Sequence, residues 1–288
     1  MSEENLKHKF IETNGIKMHY VTRGSGKLVV FLHGFPEFWY SWRHQISAIA
    51  SDKFMVVAPD LRGYGKTDKP EGVENYKITT LAQDILGFIK GLGKEKAVIV
   101  GHDWGGAIAW HFAQTLPEHT EKLIILNCPP PSALKQEISK NPDQQRRSTY
   151  IKFFQQKDIP EKTLSINNYA GLKAALTSLA VKKDIFTGED LEKYVEALEL
   201  PALSCAINYY RAGYQFPLDE DTEKLKVKSP TLVIWGEQDN ALCKALTEHI
   251  PDYILGSYTI HFVPNAGHWV QHEEPELVNK YILEFLKS

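Results

Sequence analysis

The chain has 288 residues, 43% of them hydrophobic and 24% charged, an ordinary balance for a globular protein of one large domain or two modest ones. A formal net charge of −3 gives no ground for nucleic acid or an anionic membrane as a partner. No run reaches the roughly 18 to 20 apolar residues that span a bilayer, and the charged start Met1-Ser-Glu-Glu-Asn-Leu-Lys-His-Lys9 is unlike a secretory signal, so a soluble, cytoplasmic protein is expected.

Two strand-like runs at 10–13 and 16–22 flank Asn14-Gly15, a hairpin signal, and predict an antiparallel edge pair. The apolar run 28–32 ends at His33-Gly34-Phe35-Pro36, and the run 54–59 ends at Asp60. Ile78, Leu81, Ile85, Phe88 and Ile89 recur at helical spacing before Gly93 as a stop. A strand at 97–100, a small-residue helix at 107–116 and a strand at 123–126 follow. Strand and helix in alternation indicate a parallel sheet covered on both faces, an α/β fold.

From 129 to 217 that alternation lapses and the pattern turns helical and rich in tyrosine and phenylalanine, which reads as an inserted helical lid. Residues 1–128 and 218–288 then form the core. Within the second part, the run 231–235 ends at Gly236-Glu237-Gln238-Asp239, and the run 258–263 ends at Pro264-Asn-Ala-Gly267-His268. An amphipathic helix at 277–286 closes the chain.

The segment Val98-Ile-Val-Gly101-His-Asp103-Trp-Gly105-Gly106 organises the rest. Small residues two places either side of Asp103 match the nucleophile elbow, a strained strand-to-helix turn, with aspartate in place of serine. The same residues also fit a plain turn with Asp103 as N-cap. A carboxylate held on such an elbow suits attack on a saturated electrophilic carbon, because the resulting ester can be hydrolysed in the same place.

Ligands of parallel α/β sheets bind beyond the carboxyl ends of the strands, where Asp103, Asp239 and His268 all fall. Their order in the chain, nucleophile, acid, base, is that of the α/β-hydrolase triad. His268 is the candidate base. Asp239 would orient it, with Glu237 the neighbouring carboxylate to be distinguished from it. The backbone N–H groups of Phe35 and Trp104 are candidate oxyanion donors. Pro36 fits a fixed turn there, a cis bond included.

The set His33-Gly-Phe-Pro-Glu37, Asp60-Leu-Arg-Gly-Tyr-Gly65, Gly101-His-Asp-Trp-Gly-Gly106 and Gly267-His-Trp269 resembles the epoxide hydrolases of the α/β-hydrolase superfamily over nearly the whole chain. The resemblance implies a mostly parallel eight-stranded sheet with an inserted lid. It also implies two lid tyrosines that hydrogen-bond the epoxide oxygen. Asn208-Tyr209-Tyr210-Arg211 is similar to the family's Asn-Trp-Tyr-Arg stretch, which assigns Tyr210, and the segment beginning at Tyr150 resembles the one carrying the other donor. Tyr209 and Tyr214 are rivals for these roles. A phenol suits the task because it stabilises developing negative charge without bringing a positive one.

The implied reaction joins a small apolar epoxide to Asp103 and releases a vicinal diol with water, with no metal and no organic cofactor. Pocket walls are expected from Phe35, Pro36, Trp104, Trp269 and lid aromatics. A monomer or homodimer is expected, as the hydrolase unit alone. Cys128, Cys205 and Cys243 lie far apart without metal-site spacing and read as reduced and structural.

Three competing readings are weighed on single positions. A haloalkane dehalogenase would need N–H donors for halide; Trp104 offers one, but Phe35 stands where many members carry asparagine, and no tryptophan occurs between Pro129 and Pro217. Fluoroacetate-type dehalogenases place an arginine where Trp104 stands. A non-catalytic scaffold that binds a hydrophobic ligand is the third, against which stands the joint presence of nucleophile, base, acid and leaving-group donors.

Overall fold

The structure, a computed structural model, describes residues 6–288; residues 1–5 of the charged start lie outside the described residues. Among the described residues one sheet holds β1 (Lys7–Thr13), β2 (Ile16–Arg23), β3 (Lys27–Leu32), β4 (Phe54–Pro59), β5 (Ala97–His102), β6 (Thr120–Leu126), β7 (Thr231–Gly236) and β8 (Tyr258–Val263). The strand order is β1-β2-β4-β3-β5-β6-β7-β8. β1 and β2 pair antiparallel around Asn14-Gly15, β2 meets β4 antiparallel, and every other pair is parallel. This is the α/β-hydrolase type of sheet, mostly parallel, with its antiparallel pairs at one edge.

The apolar runs are continuous because both faces are buried, and side chains alternate between the two. Val30, Ile99, Ile125 and Val233 pack with Ile85, Phe88, Ile108 and Phe112 on one face. Phe31, Val100, Ile124 and Ile234 pack with Trp42, Ile46, Val278 and Ile282 on the other. Helices Ile78–Gly91 and Trp104–Thr115 cover the first face, and helices Arg43–Ile49 and Pro275–Lys287 the second. Each such side chain contributes about 1.5–3 kcal/mol by leaving water. Arg43–Ile49 has no counterpart in the sequence reading, since seven residues are too few to establish a helical period.

Between β6 and β7 the chain is helical: Pro131–Lys140, Pro142–Arg147, Thr149–Phe153, Ile159–Leu179, Gly188–Leu198 and Ala202–Gln215 form the inserted lid, and Glu220–Glu223 lies on the return to β7. The longest run breaks at Ile166, and Asn167, Asn168 and Tyr169 take left-handed φ values of 51°, 53° and 57°. Asparagine tolerates that region better than most residues. The Tyr169 hydroxyl accepts the Leu200 N–H at 3.1 Å.

Side chains fasten the lid to the core. The Tyr209 hydroxyl donates to the Arg62 carbonyl at 2.8 Å, and Arg62 is itself held by both oxygens of buried Asp84. The Trp269 indole N–H donates to the Leu176 carbonyl at 2.8 Å, and Lys182 bridges to the Glu273 carbonyl and the Glu274 carboxylate. No helix among the described residues is long and apolar enough to cross a membrane.

Candidate active site

Parallel register lines up the ends of β3, β5, β6, β7 and β8, so the loops that follow them meet along one rim. Asp103 closes β5 with φ 50° and ψ −121°, outside the regions that non-glycine residues ordinarily occupy. Close packing enforces that turn. A Cβ on Gly105 would sit 2.1 Å from the Leu32 carbonyl oxygen, and one on Gly34 would sit 2.4 Å from the Asp103 Cβ. Only glycine lets the β3 loop and the elbow approach so nearly.

The carboxylate of Asp103 faces two groups. Its Oδ1 accepts the Phe35 backbone N–H at 2.8 Å, and its Oδ2 lies 3.6 Å from His268 Nε2. The Phe35 N–H is aimed by the other end of its own peptide. The Gly34 carbonyl accepts from the Glu37 N–H at 2.9 Å and stands 3.0 Å from His33 Nδ1. His33 Nε2 accepts the Leu61 N–H, which leaves the proton on Nδ1 to bond Gly34. In a planar trans peptide the C=O and N–H point oppositely, so fixing the carbonyl turns the Phe35 N–H toward Asp103.

His268 Nδ1 donates to Asp239 Oδ2 at 2.9 Å, with both residues buried. Asp239 also accepts from Asn127 Nδ2 at 2.8 Å and from the Ala241 and Leu242 N–H groups at 2.7 and 2.9 Å. Burial pushes its pKa up, but the His268 cation and these donors outweigh that and hold it below the usual carboxylate range. For His268, burial favours the neutral ring, yet Asp239 and Asp103 on either side raise its pKa to about 10. The raised pKa favours the imidazolium form of His268, which has Asp103 on one side as ion-pair partner at 3.6 Å and Asp239 behind.

A cavity of about 570 Å³ opens between core and lid. Asp103, Trp104, Tyr150 and Tyr210 line its inner part, while Tyr214 and Phe216 stand at the exposed end. The Tyr150 and Tyr210 rings meet edge to face, 5.8 Å between centroids and 86° between planes. Burial first, and the Asp103 charge next, push both phenols above their usual range, so both keep the proton that a donor needs. Of the rivals, Tyr209 gives its hydroxyl to Arg62, and Tyr214 has 73% of its surface exposed.

Comparison with known proteins identifies the family. Residues 27–275 match the alpha/beta hydrolase fold family. "Epoxide hydrolase 4" of Mus musculus is 42% identical over 96% of this chain and 78% of its own length. The chain belongs to the epoxide hydrolases. This member is also 43% identical to "AB hydrolase superfamily protein YfhM" of Bacillus subtilis over 99% of both chains. A crystal structure of Bacillus megaterium epoxide hydrolase in complex with an inhibitor superposes with a TM-score of 0.89 at 35% identity, covering 97% of this chain and 100% of that one.

The sequence-based pocket walls need correction in this epoxide hydrolase. Trp104 lines the cavity, but Trp269, Phe35 and Pro36 do not. Trp269 is fully buried in the core cluster on the far face of the sheet, its indole spent on the Leu176 carbonyl. The Phe35 ring packs edge-on against Phe154 and Tyr210, and its contribution at Asp103 is the backbone N–H.

Other residues of the site escaped sequence reasoning. Asn127, with φ 39°, ends β6 and bonds both Asp239 and the Gly236 backbone, so it locks the acid to the β7 loop. Its place at a strand end beside the β7 terminus was the available signal. Glu37, fully buried, bonds His102 and His272, and His102 in turn bonds the His268 carbonyl at 2.8 Å. The two histidine hydrogen bonds outweigh burial and lower the Glu37 pKa.

Proposed function

We propose that this chain hydrolyses an apolar epoxide to a vicinal diol in two covalent steps. An Asp103 oxygen attacks one ring carbon, the carbon–oxygen bond breaks with its electron pair on oxygen, and a phenol proton from Tyr150 or Tyr210 reaches that oxygen. The product is a hydroxyalkyl ester of Asp103. Esterification removes one of the two negative charges that raise the His268 pKa, so the imidazolium releases a proton, which balances the one the phenolate regains.

Neutral His268 then takes a proton from water as its oxygen attacks the ester carbonyl. The oxyanion is held by the Phe35 and Trp104 N–H groups. Collapse expels the diol oxygen, which is protonated by the imidazolium, and the new carboxylic acid hands its proton to His268, restoring the ion pair. Side chains and water account for every step, without metal or organic cofactor. Residues 129–217 serve as the lid over a core of 1–128 and 218–288. Three buried free thiols support a reducing, cytoplasmic setting.

One observation carries this reading: Asp103 stands on a strained elbow between a backbone donor and His268, across the cavity from two phenols kept protonated. The test is the intact mass of a His268→Gln variant after exposure to styrene oxide and, separately, to a 1-haloalkane, with peptide mapping. The expected result is an Asp103 adduct with the whole epoxide mass and none from the haloalkane. An alkyl adduct from the haloalkane alone would make the chain a dehalogenase; no adduct from either would favour a ligand-binding scaffold.

A further inference from the structure

Arg211 follows Tyr210 directly but does not line the cavity. Its guanidinium is 13% exposed and engages in five hydrogen bonds. Nε donates to the Phe154 carbonyl at 3.2 Å and Nη2 to the Gln156 carbonyl at 2.7 Å. Nη1 donates to Glu161 Oε1 at 2.7 Å and to Asn208 Oδ1 at 3.2 Å, and Nη2 also to Glu161 Oε2 at 3.2 Å. Five bonds are the full capacity of a guanidinium, in a planar fork of fixed shape.

Two of these acceptors lie on the turn that ends helix Thr149–Phe153, the helix of Tyr150, and Phe154 still donates its N–H to the Tyr150 carbonyl at 3.0 Å. A second tie runs back from this turn, as Gln155 Nε2 donates to the Tyr210 carbonyl at 3.2 Å. The Phe154 ring fills the corner, with its centroid 4.7 Å from that of Tyr210 and 5.9 Å from that of Tyr150. A five-residue helix does not hold itself in place, so these contacts set where Tyr150 stands relative to Tyr210.

We propose that Arg211 is a positioning residue that fixes the spacing of the two phenol donors; this rests on the reading of Tyr150 and Tyr210 given above. A buried ion pair such as Arg211–Glu161 recovers little stability beyond its own desolvation. What the fork supplies is geometry: it joins the two lid segments that must present their hydroxyls to one oxygen. Lysine, with three donors on a flexible stem, would keep the charge and lose the fork.

The test measures ester formation on Asp103 from styrene oxide by mass in single turnover, in the His268→Gln background where the ester accumulates. Decay of the ester is followed separately with His268 intact. Arg211→Gln is expected to slow ester formation about 10- to 100-fold, the scale of a small misplacement of a reacting group. Ester decay, which uses neither phenol, is expected to stay within about twofold, and Arg211→Lys to recover only part of the loss. In a Tyr150→Phe background Arg211→Gln is expected to add less than about twofold, because no second donor remains to be placed.

Glu161→Gln, which removes one of the two carboxylate acceptors, is the milder variant should Arg211→Gln fail to fold, with a smaller loss in the same step. Equal slowing of both steps, additive losses with Tyr150→Phe, or full activity in the variants would each overturn the clamp. Absence of any ester when Arg211 is intact would remove the epoxide reading and the clamp with it, whereas ester formation slowed by Tyr150→Phe but not by Arg211→Gln removes the clamp alone.

Discussion

The two walls of the cavity are built by different means. On the core side, Asp103, Asp239 and His268 stand at the ends of parallel strands, and main-chain groups do most to hold the two carboxylates: a strained elbow, the Phe35 N–H, and the Ala241 and Leu242 N–H groups, with Asn127 adding one side-chain bond and Asp239 in turn holding His268. On the lid side, Tyr150 and Tyr210 stand on separate helices that share no sheet, and side chains set their places: Arg211, Gln155, Tyr209 and Phe154. Backbone placement is stiff and tolerates few substitutions at its crowded points. Side-chain placement spreads the same task over several residues, each replaceable at smaller cost.

That contrast can be pressed from both sides. The largest effect is expected from Gly105→Ala on the core wall, where the new methyl would meet the Leu32 carbonyl at 2.1 Å. Separating the elbow from β3 is expected to cost about 3 kcal/mol in thermal unfolding, and loss of oxyanion geometry about 10³-fold in turnover. A stable, active alanine variant would show that the core wall yields as readily as the lid.

On the lid wall, Tyr210→Phe and Tyr150→Phe each remove one donor and leave the fold intact. Each is expected to slow epoxide opening about 10²- to 10³-fold, with Tm changed little. Equal rates in Tyr210→Phe and the unsubstituted chain would take that phenol out of the reaction and leave it as packing.

A separate test of the core wall lies in the pH dependence of stability. His268 has a folded pKa of about 10 against 6.5 in the unfolded chain. Its raised value stabilises the fold fully below pH 6.5, and that contribution fades as pH climbs through 10. The Tm difference between the unsubstituted chain and His268→Gln is therefore expected to narrow steadily from pH 6.5 to 10. A difference that stays flat across this range would mean that His268 is neutral at rest.

How far the sequence was legible follows the same division. Strands were read from continuous β-branched runs and from Asn14-Gly15, and the elbow from glycines either side of Asp103, because such constraints are local in the chain. Helix Arg43–Ile49 was too short to show a period. Trp269 is expected in the pocket from the sequence, yet in the structure it packs in the core cluster on the far face of the sheet. The parts played by His33, Asn127 and Arg211 depend on hydrogen-bond partners tens of residues away, several of them main-chain groups, which leave no mark on residue type.

The lid leaves the sheet after β6 and rejoins it at β7, and these two strands are direct neighbours, with Leu126 opposite Ile234. Parallel strands lie only about 4.8 Å apart, and the Asn127 N–H still bonds the Ile234 carbonyl at 3.1 Å past the end of the ladder. The chain thus leaves at the carboxyl end of β6 and re-enters at the amino end of β7, where Thr231 lies opposite Leu123, so the whole excursion returns across the length of one strand to a neighbouring place in the same sheet. Lengthening or rewriting it changes loop closure by little and shifts no strand register. Inheritance can then act on the two walls at different tempos, keeping the reaction while the shape that admits a molecule is revised.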